Sequence, residues 1–250
     1  MPTAPILHTV HLDRVDSTNS EARRIAEAGT KQNTLILARA QSAGRGRMGR
    51  FFYSPADTGL YMTLLYYPDR PIAELSGLTC AAAWASACAI ECLCGQAPRI
   101  KWVNDLYLNQ KKVCGILCES FGTPCGTAIA IGIGINLTTR DFPDTLGSIA
   151  GSLGAASDPE ALAQCICAHL FPYLQSGDNA IWLEGYRARF MLRGACVTCI
   201  TADGTYPATV QDVTDQGALI VTDDHGKTNI LYAGEVNIGA ADPASPYYKS

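Results

Sequence analysis

Apolar and polar positions near the start of the chain alternate between strand-like and helix-like periods. Compact apolar runs at 35–38 and 60–65 predict strands, and the nearly uncharged stretch 75–94 predicts a long buried helix. Before them, the Thr-Asn-Ser-Glu run fits a capping box with Thr18 as the cap, which predicts a short helix that stops at Gly29. Strands and helices mixed in this order predict an α+β fold.

Residues 100 to 137 form a series of short apolar runs separated by polar turns. Asn104-Asp105 and Asn109-Gln110 supply the turn residues between the first three runs. This succession predicts a largely antiparallel sheet. Its strands are expected at 100–102, 106–108, 112–119 and 127–137.

Two helices and a β module are predicted after this sheet. Asp158-Pro159 fits an N-cap followed by proline at the first helical position, which predicts a helix to about residue 174. A second helix is expected at 179–190. Turn-forming Asp203-Gly204 and His225-Gly226 then divide a module of the size at which small barrels occur. Its four strands are expected at 197–200, 206–210, 218–222 and 228–231.

The composition is that of a folded protein with a substantial core, because 48% of the 250 residues are hydrophobic. The net charge of -4 argues against an extended basic surface, so we expect neither nucleic acid nor a membrane as a partner. The stretch 75–94 is about as long as a membrane span. Its Ala, Ser, Thr, Cys and Gly content favours a buried helix over a transmembrane one.

The eleven cysteines favour a reducing compartment, since their number is odd and the chain is too long to need disulfide staples. No charged segment followed by an apolar stretch opens the sequence, so we expect a cytoplasmic protein. Cys196 and Cys199 form a C-x-x-C pair without a second pair at zinc-finger spacing, and no metal site made by protein alone is predicted. Cysteines at 92, 94, 165 and 167 are expected to pack as small apolar side chains.

The segment 44–50, hereafter the glycine-arginine loop, contains three glycines and three arginines. Glycine lets backbone amides approach an anion, and arginine supplies planar charged donors, so the loop is a candidate anion clamp. A flexible segment or an ordinary basic turn explains the same residues. Neither the P-loop pattern nor the dinucleotide-binding pattern is present.

Strand alternation predicts a bared sheet face. Strict alternation places Lys112 on the face of Cys114 and Ile116, and Lys111 on the opposite face, so only one lysine faces a given pocket. In 131–137 the same rule leaves Gly132, Gly134 and Asn136 together, where a flat ligand could lie against the strand. A packing requirement for glycine is the alternative explanation.

Several motifs together resemble the biotin protein ligase family, in its monofunctional form without an N-terminal DNA-binding domain. The order and spacing of the motifs cover most of residues 9 to 238. The motifs are Ser17-Thr18-Asn19, Gln41, the glycine-arginine loop, the KWVNDLY run at 101–107, the strand from Lys112, and GIGIN at 132–136. The resemblance implies a biotin/lipoate ligase-type catalytic domain over 1–190, an SH3-like domain over 191–240 and a tail over 241–250.

The resemblance also implies roles for single residues. The catalytic residues are Lys112, Arg47 and Asp105, with Lys112 at the reacting acyl-phosphate centre. The biotin-binding residues are Ser17, Thr18, Asn19, Gln41, Arg45, Gly46, Arg47 and Lys112. The nucleotide-binding residues are Arg45, Arg47, Arg50, Asn104 and Asn136, with Asn136 on the adenine side. Two positions depart from the family pattern, because Val103 replaces a proline and Phe52 stands where some members have tryptophan.

The function implied is an ATP-dependent ligase that forms biotinyl-AMP, with Mg²⁺ accompanying ATP, and transfers biotin to a lysine. The acceptor is expected to be the biotin carboxyl carrier domain of acetyl-CoA carboxylase or a related carboxylase. An edge strand near Thr127 could pair across a homodimer. The first alternative is a lipoate or octanoate protein ligase or transferase on the same fold. The second is a non-catalytic module whose basic loop contacts RNA, which the acidic charge disfavours.

Overall fold

Seven strands form the larger of two sheets in the computed structural model of the chain, which describes residues 7–202 and 204–238. Their spatial order is β1-β2-β3-β7-β6-β5-β4. Only β1 and β2 are parallel, and the other neighbours are antiparallel, so the predicted sheet type is confirmed. The strands are β1 (His8–Val15), β2 (Thr34–Gln41), β3 (Gly59–Tyr66), β4 (Arg99–Lys101), β5 (Asp105–Leu108), β6 (Lys111–Thr123) and β7 (Gly126–Asn136).

Helices cover both faces of this sheet. On one face α1 (Thr18–Glu27) buries Ala22 and Ala26 against a small apolar cluster. On the other face lie α2 (Leu78–Cys94), α4 (Pro159–Ser176) and α5 (Ala180–Arg189), while α3 (Asp144–Gly147) is a single turn in the connection after β7. Because six of the ten buried residues of α2 are alanine, the larger side chains of α4 and α5 pack closely against it. None of the helices among these residues combines the length and apolarity that a membrane crossing needs.

The predicted β module is a separate five-stranded antiparallel sheet with the order β11-β10-β9-β8-β12. The four predicted strands are present, and a fifth, β12, was not predicted, although its Glu-Val-Asn-Ile sequence alternates polar and apolar residues as a half-buried strand does. Asp203 and residues 239–250 lie outside the described residues, so the predicted tail does too. The domain boundary at 190/191 stays a prediction. The strands are β8 (Cys196–Thr201), β9 (Gly204–Val213), β10 (Leu219–Asp223), β11 (Thr228–Leu231) and β12 (Glu235–Ile238).

The capping-box prediction is wrong by one residue. The N-cap of α1 is Ser17, which is extended, and Thr18 is already the first helical residue. The free amide of Thr18 donates to the side chain of Gln41 at 2.8 Å, so a residue of β2 satisfies the helix end instead of a local cap. The predicted cap at Asp158 is confirmed, since its carboxylate accepts from the Glu160 amide.

Candidate active site

A cavity of about 360 Å³ lies where the start of α1, the glycine-arginine loop, β6 and β7 meet. Its far wall is formed by residues 234–237 of the β module. The cavity therefore touches both sheets. Each residue predicted for biotin or nucleotide binding lines it, as do the three predicted catalytic residues.

Three glycines, Gly115, Gly132 and Gly134, form the floor of the cavity, so backbone is exposed there without side chains. A methyl group on Gly134 would lie 2.5 Å from the Phe52 ring, and one on Gly132 would overlap the side-chain amide of Asn19. Gly115 of the neighbouring strand faces the same ring, which a methyl group at that position would meet at 3.3 Å. The prediction that the glycines of β7 share a bared face is confirmed, because Ile131, Ile133 and Ile135 are all buried in the core on the other side.

Lys112 reaches this face only because β6 contains a bulge. Leu106 pairs with Cys114 and Tyr107 pairs with Lys112, so Val113 is the extra residue. The bulge moves Lys112 from the face of Cys114 to the face of Gly115, where an added methyl group would lie 3.3 Å from the lysine chain. The strict alternation predicted for this strand is wrong at Lys112. The Lys112 ammonium lies 2.7 Å from the carboxylate of Asp105.

Hydroxyl and amide groups form a hydrogen-bonded set at one end of the cavity, hereafter the polar cluster. Its members are the buried Thr18, Asn19, Ser54 and Thr63 and the half-buried Gln41. Gln41 accepts from the amide and the hydroxyl of Thr18, and its own amide donates to Ser54 at 2.8 Å. The Thr63 hydroxyl lies 2.8 Å from that of Thr18 and 2.7 Å from the Asn19 side-chain oxygen. One hydroxyl has one proton, so Thr63 donates to only one of them at a time.

Ser17, predicted beside this cluster, is buried, and its amide donates to Asp16. The guanidinium of Arg24 accounts for most of the lowering that brings the pKa of Asp16 to about 2. Asp16 therefore stays ionised under the first turn of α1, where a negative charge is favourable.

The three arginines of the glycine-arginine loop have different partners. Arg45 pairs with Glu119 at 2.8 Å, and Arg50 pairs with Glu235 of the β module at 2.6 Å. Arg47 contacts neutral acceptors, namely the Asn104 side chain and the Gly234 carbonyl. Within the described part of the chain, Arg47 is in no ion pair, so its charge remains available for an anion.

The opposite end of the cavity is apolar apart from Asn136. Phe142, Leu146 and Ile149 line this end. Asn136 is 4% exposed, and its amide nitrogen donates to the Gly151 carbonyl at 2.9 Å. Its side-chain oxygen is buried and has no hydrogen-bond partner among the described residues. An unsatisfied acceptor beside an apolar wall suits the amino group of a flat heterocycle.

The charge of the cavity contrasts with that of the chain. Five basic and two acidic side chains line it, although the chain as a whole carries a net charge of -4. Burial lowers the pKa of Lys101, and the carboxylates of Asp105 and Glu235 only partly oppose that effect. The cavity is therefore suited to a ligand with several negative charges.

Two carboxylates of the cavity, Asp105 and Glu235, are the candidate ligands for a magnesium ion. No group of three or more His, Cys, Asp or Glu side chains in residues 7–202 and 204–238 is arranged to hold a metal ion. The two carboxylates that line the cavity, Asp105 and Glu235, are already paired with Lys112 and Arg50. Mg²⁺ commonly keeps several waters and binds through one or two carboxylates and the phosphates of its substrate, which fits this donor set.

Several residues of the site were not predicted from the sequence, among them Lys101, Thr63, Glu119 and Glu235. Lys101 belongs to a quoted motif, but nothing in the motif separates it from a surface lysine. Thr63 could have been predicted, because a polar residue inside the apolar strand β3 needs a buried hydrogen-bond partner. Glu119 and Glu235 carry no local signal, since their partners are distant in sequence. Of the two departures, Phe52 lies in the cavity, whereas Val103 packs against the core.

Comparisons with known proteins agree with this arrangement. The family model "Biotin/lipoate A/B protein ligase family" matches residues 11–136. The biotin--[acetyl-CoA-carboxylase] ligase of Paracoccus denitrificans is 35% identical, over 91% of this chain and 99% of that protein. The bifunctional ligase/repressor BirA of Bacillus subtilis is 31% identical, over 93% of this chain and 74% of that protein.

A solved structure shows the same fold. The biotin protein ligase from Aquifex aeolicus in complex with biotin and ATP is similar with a TM-score of 0.75 and 24% identity, over 92% of this chain and 97% of that one. The predicted α+β catalytic fold with a small C-terminal β module is thereby confirmed.

Proposed function

The chain belongs to the biotin/lipoate A/B protein ligase family, and from this premise we propose that it is a biotin protein ligase. It activates biotin with ATP and transfers the biotinyl group to a lysine of a biotin carboxyl carrier protein. The observation that carries the proposal is the layout of one cavity. A buried amide and hydroxyl cluster lies at one end, Lys112 lies at the bared floor, and an unsatisfied Asn136 oxygen lies at the apolar end.

The polar cluster is suited to the ring system of biotin. A cyclic urea has two N–H donors and one carbonyl acceptor, and a buried site must satisfy all three. Thr18, Asn19 and Gln41 offer hydroxyl and amide groups at that end, with Ser17 beside them. The predicted biotin-binding role of these four residues rests on this match.

The glycine floor and the apolar end are suited to the nucleotide. The adenine ring would lie near Phe142 and Leu146, with its amino group donating to Asn136. Asn104 lines the cavity and holds the guanidinium of Arg47, so its part in nucleotide binding is to orient that arginine. Arg47 and Arg50 reach the cavity from the glycine-arginine loop and would contact phosphate oxygens.

Activation brings two anions together. The biotin carboxylate oxygen attacks the α-phosphorus of ATP, a P–O bond forms, and the bond to pyrophosphate breaks. Lys112 at the floor and Arg47 above it would offset the repulsion and stabilise charge on the transferring phosphoryl group, together with the magnesium that ATP carries. Asp105, at 2.7 Å from the Lys112 ammonium, orients this lysine.

The second step, transfer of the biotinyl group to the acceptor lysine, takes place at the same cavity floor. The neutral amine of the acceptor lysine attacks the acyl carbon of biotinyl-AMP, AMP leaves, and the amine loses a proton as the amide forms. The mixed anhydride must be kept from water until the acceptor arrives. The glycine-arginine loop adjoins the polar cluster, since a methyl group on Gly44 would lie 2.8 Å from the Ser54 hydroxyl. Gly46 lines the cavity without a side chain and would let the loop backbone approach the biotin carboxylate closely.

The acceptor protein and a homodimer are two further parts of the proposal. The carrier domain of acetyl-CoA carboxylase is proposed as acceptor because the Paracoccus relative bears that substrate in its name. A homodimer remains a proposal. The predicted edge strand near Thr127 is wrong, because Thr127 belongs to β7, which lies between β3 and β6. The part of β6 beyond Ile116 instead pairs with β7 and has no paired strand on its other side among the described residues, so it offers an edge for pairing.

A lipoate ligase on the same fold is the competing function. Exchange of pyrophosphate into ATP, measured with biotin, with lipoate and with no acid, separates the two. We expect exchange with biotin alone, because a urea needs the polar cluster and a dithiolane ring does not. Exchange with lipoate and none with biotin would refute the proposed function.

A further inference from the structure

Glu119 contacts both the glycine-arginine loop and the polar cluster. Its carboxylate receives the Arg45 guanidinium through two bonds, at 2.8 and 3.1 Å. One of the same oxygens accepts from the side-chain amide of Asn19 at 2.9 Å. Glu119 lies on β6, on the face of Gly115, so a rigid strand holds the shared carboxylate.

Three further neighbours fix the orientation of the Asn19 side-chain amide. The Asn19 amide nitrogen also donates to the Leu117 carbonyl at 3.2 Å, and its oxygen lies 2.7 Å from the Thr63 hydroxyl. Gly132 packs directly against the same amide, so Asn19 has no room to turn. A carboxylate that accepts from this amide therefore keeps one orientation.

The contact with Arg45 changes what this arginine contributes. The two-bond pair with Glu119 neutralises the Arg45 charge, whereas Arg47 contacts neutral acceptors. Two charge-assisted bonds in parallel define the position of the arginine as well as adding energy. Arg45 is thus placed as an anchor of the loop, while Arg47 keeps its charge for the phosphates.

We propose that Glu119 is a positioning residue that anchors the glycine-arginine loop over the biotin end of the cavity, through Arg45 on one side and Asn19 on the other. This inference rests on the proposed function and assigns Arg45 to loop closure instead of phosphate binding. Loss of the anchor lets the loop open more often, so biotin and biotinyl-AMP escape faster while the chemical step is unchanged.

Limited digestion with trypsin tests the anchor without any ligand, because the loop itself contains cleavage sites after Arg47 and Arg50. Glu119→Gln and Arg45→Gln should each accelerate cleavage after Arg47 several-fold, and the double variant should be no faster than either single one. Glu91→Gln, which breaks a comparable pair with Arg189 between α2 and α5, is the matched control and should digest like the parent. Parental cleavage in the two loop variants would overturn the proposal.

Kinetics supply a second, independent measurement. Glu119→Gln should raise KM for biotin about tenfold with kcat nearly unchanged, and Glu119→Asp should recover part of the loss. A fall in kcat at constant KM would assign Arg45 or Glu119 to the chemistry and contradict the anchor. If Glu119→Gln does not fold, Arg45→Gln decides by the same two measurements. Accelerated digestion in a chain that shows no biotin-dependent exchange would leave the anchor standing and refute the proposed function instead.

Discussion

Lys111 and Lys112 are neighbours in sequence, yet their ammonium groups have different surroundings. Lys111 donates to the carbonyls of Gly147 and Ser148, at 2.7 Å each, and so supports the loop after β7. Lys112 is paired with Asp105 on the cavity floor. Only Lys112 can meet a reacting phosphoryl group, and the sequence motif already singled it out, although the strand periodicity behind its predicted face was wrong.

Lys112→Ala should therefore lower the rate of biotinyl-AMP formation by about a hundredfold or more, because a preorganised charge at the reacting centre is lost. Its melting temperature should change by only a few degrees, since a strand lysine facing a cavity adds little to the core. Lys227→Ala, at an exposed turn of the β module, is the control and should keep parental activity. Pyrophosphate release at the parental rate by Lys112→Ala would remove this lysine from the mechanism.

Lys101, unlike Lys112, is expected to lower the stability of the fold while it favours binding of an anionic ligand. Burial lowers its pKa, so the charged form costs folding free energy that a bound polyanion would recover. Lys101→Met should raise the melting temperature at neutral pH by a few degrees and raise KM for ATP severalfold.

The stabilisation expected from Lys101→Met depends on pH in a direction that follows from the lowered pKa of Lys101. A lysine whose folded pKa is lowered is most costly below that pKa, and the cost disappears above the ordinary value of 10.5. The advantage of Lys101→Met should therefore shrink as pH rises toward that value. Thermal melts of both proteins across this range measure it, and an advantage that grows with pH would show that burial is not the cause.

At the scale of elements, periodicity predicted side-chain directions correctly where strands pair regularly and failed where a bulge interrupts the pairing. The face of Gly132, Gly134 and Asn136 followed from alternation because β7 is regular where it pairs with β3 and β6. The bulge at Val113 could not be foreseen, since it depends on the register that β5 adopts. β1 was missed because an edge strand with two half-exposed faces has no continuous apolar pattern.

Gly132→Ala tests the close packing on the regular strand β7. A methyl group there would overlap the Asn19 amide, which cannot move because its bonds hold it. We expect KM for biotin to rise at least tenfold. Gly122→Ala on β6 is the control, because a methyl group at that position meets no atom within 4 Å. Unchanged biotin binding in Gly132→Ala would separate Asn19 from the biotin site.

At the scale of the molecule, the β module completes the cavity instead of standing apart from it. Gly234 accepts from Arg47, and Glu235 pairs with Arg50, so the module contacts two of the three loop arginines. No sequence pattern predicted this contact, because the partners are nearly two hundred residues apart. The composition predicted an acidic protein, and the fold brings five of its nineteen Lys and Arg side chains to one cavity.

Glu235→Gln should loosen the module and the loop together. The pair is part exposed, so the loss of stability is small, about 1 kcal/mol or less. Amide hydrogen exchange should nevertheless accelerate in parallel at 46–50 and 234–238, because each segment holds the other. Glu184→Gln, on the exposed side of α5, is the control. Faster exchange in only one of the two segments would argue against their coupling.

Biotin transfer to a carrier domain is the decisive test of the proposed function. The chain is incubated with biotin, MgATP and a biotin carboxyl carrier domain, and the mass of the intact carrier is measured by mass spectrometry. We expect one added biotinyl group per carrier, one AMP and one pyrophosphate formed, and no gain on a carrier whose acceptor lysine is arginine. A carrier that gains no mass with biotin, or that gains a lipoyl group instead, would contradict the assignment.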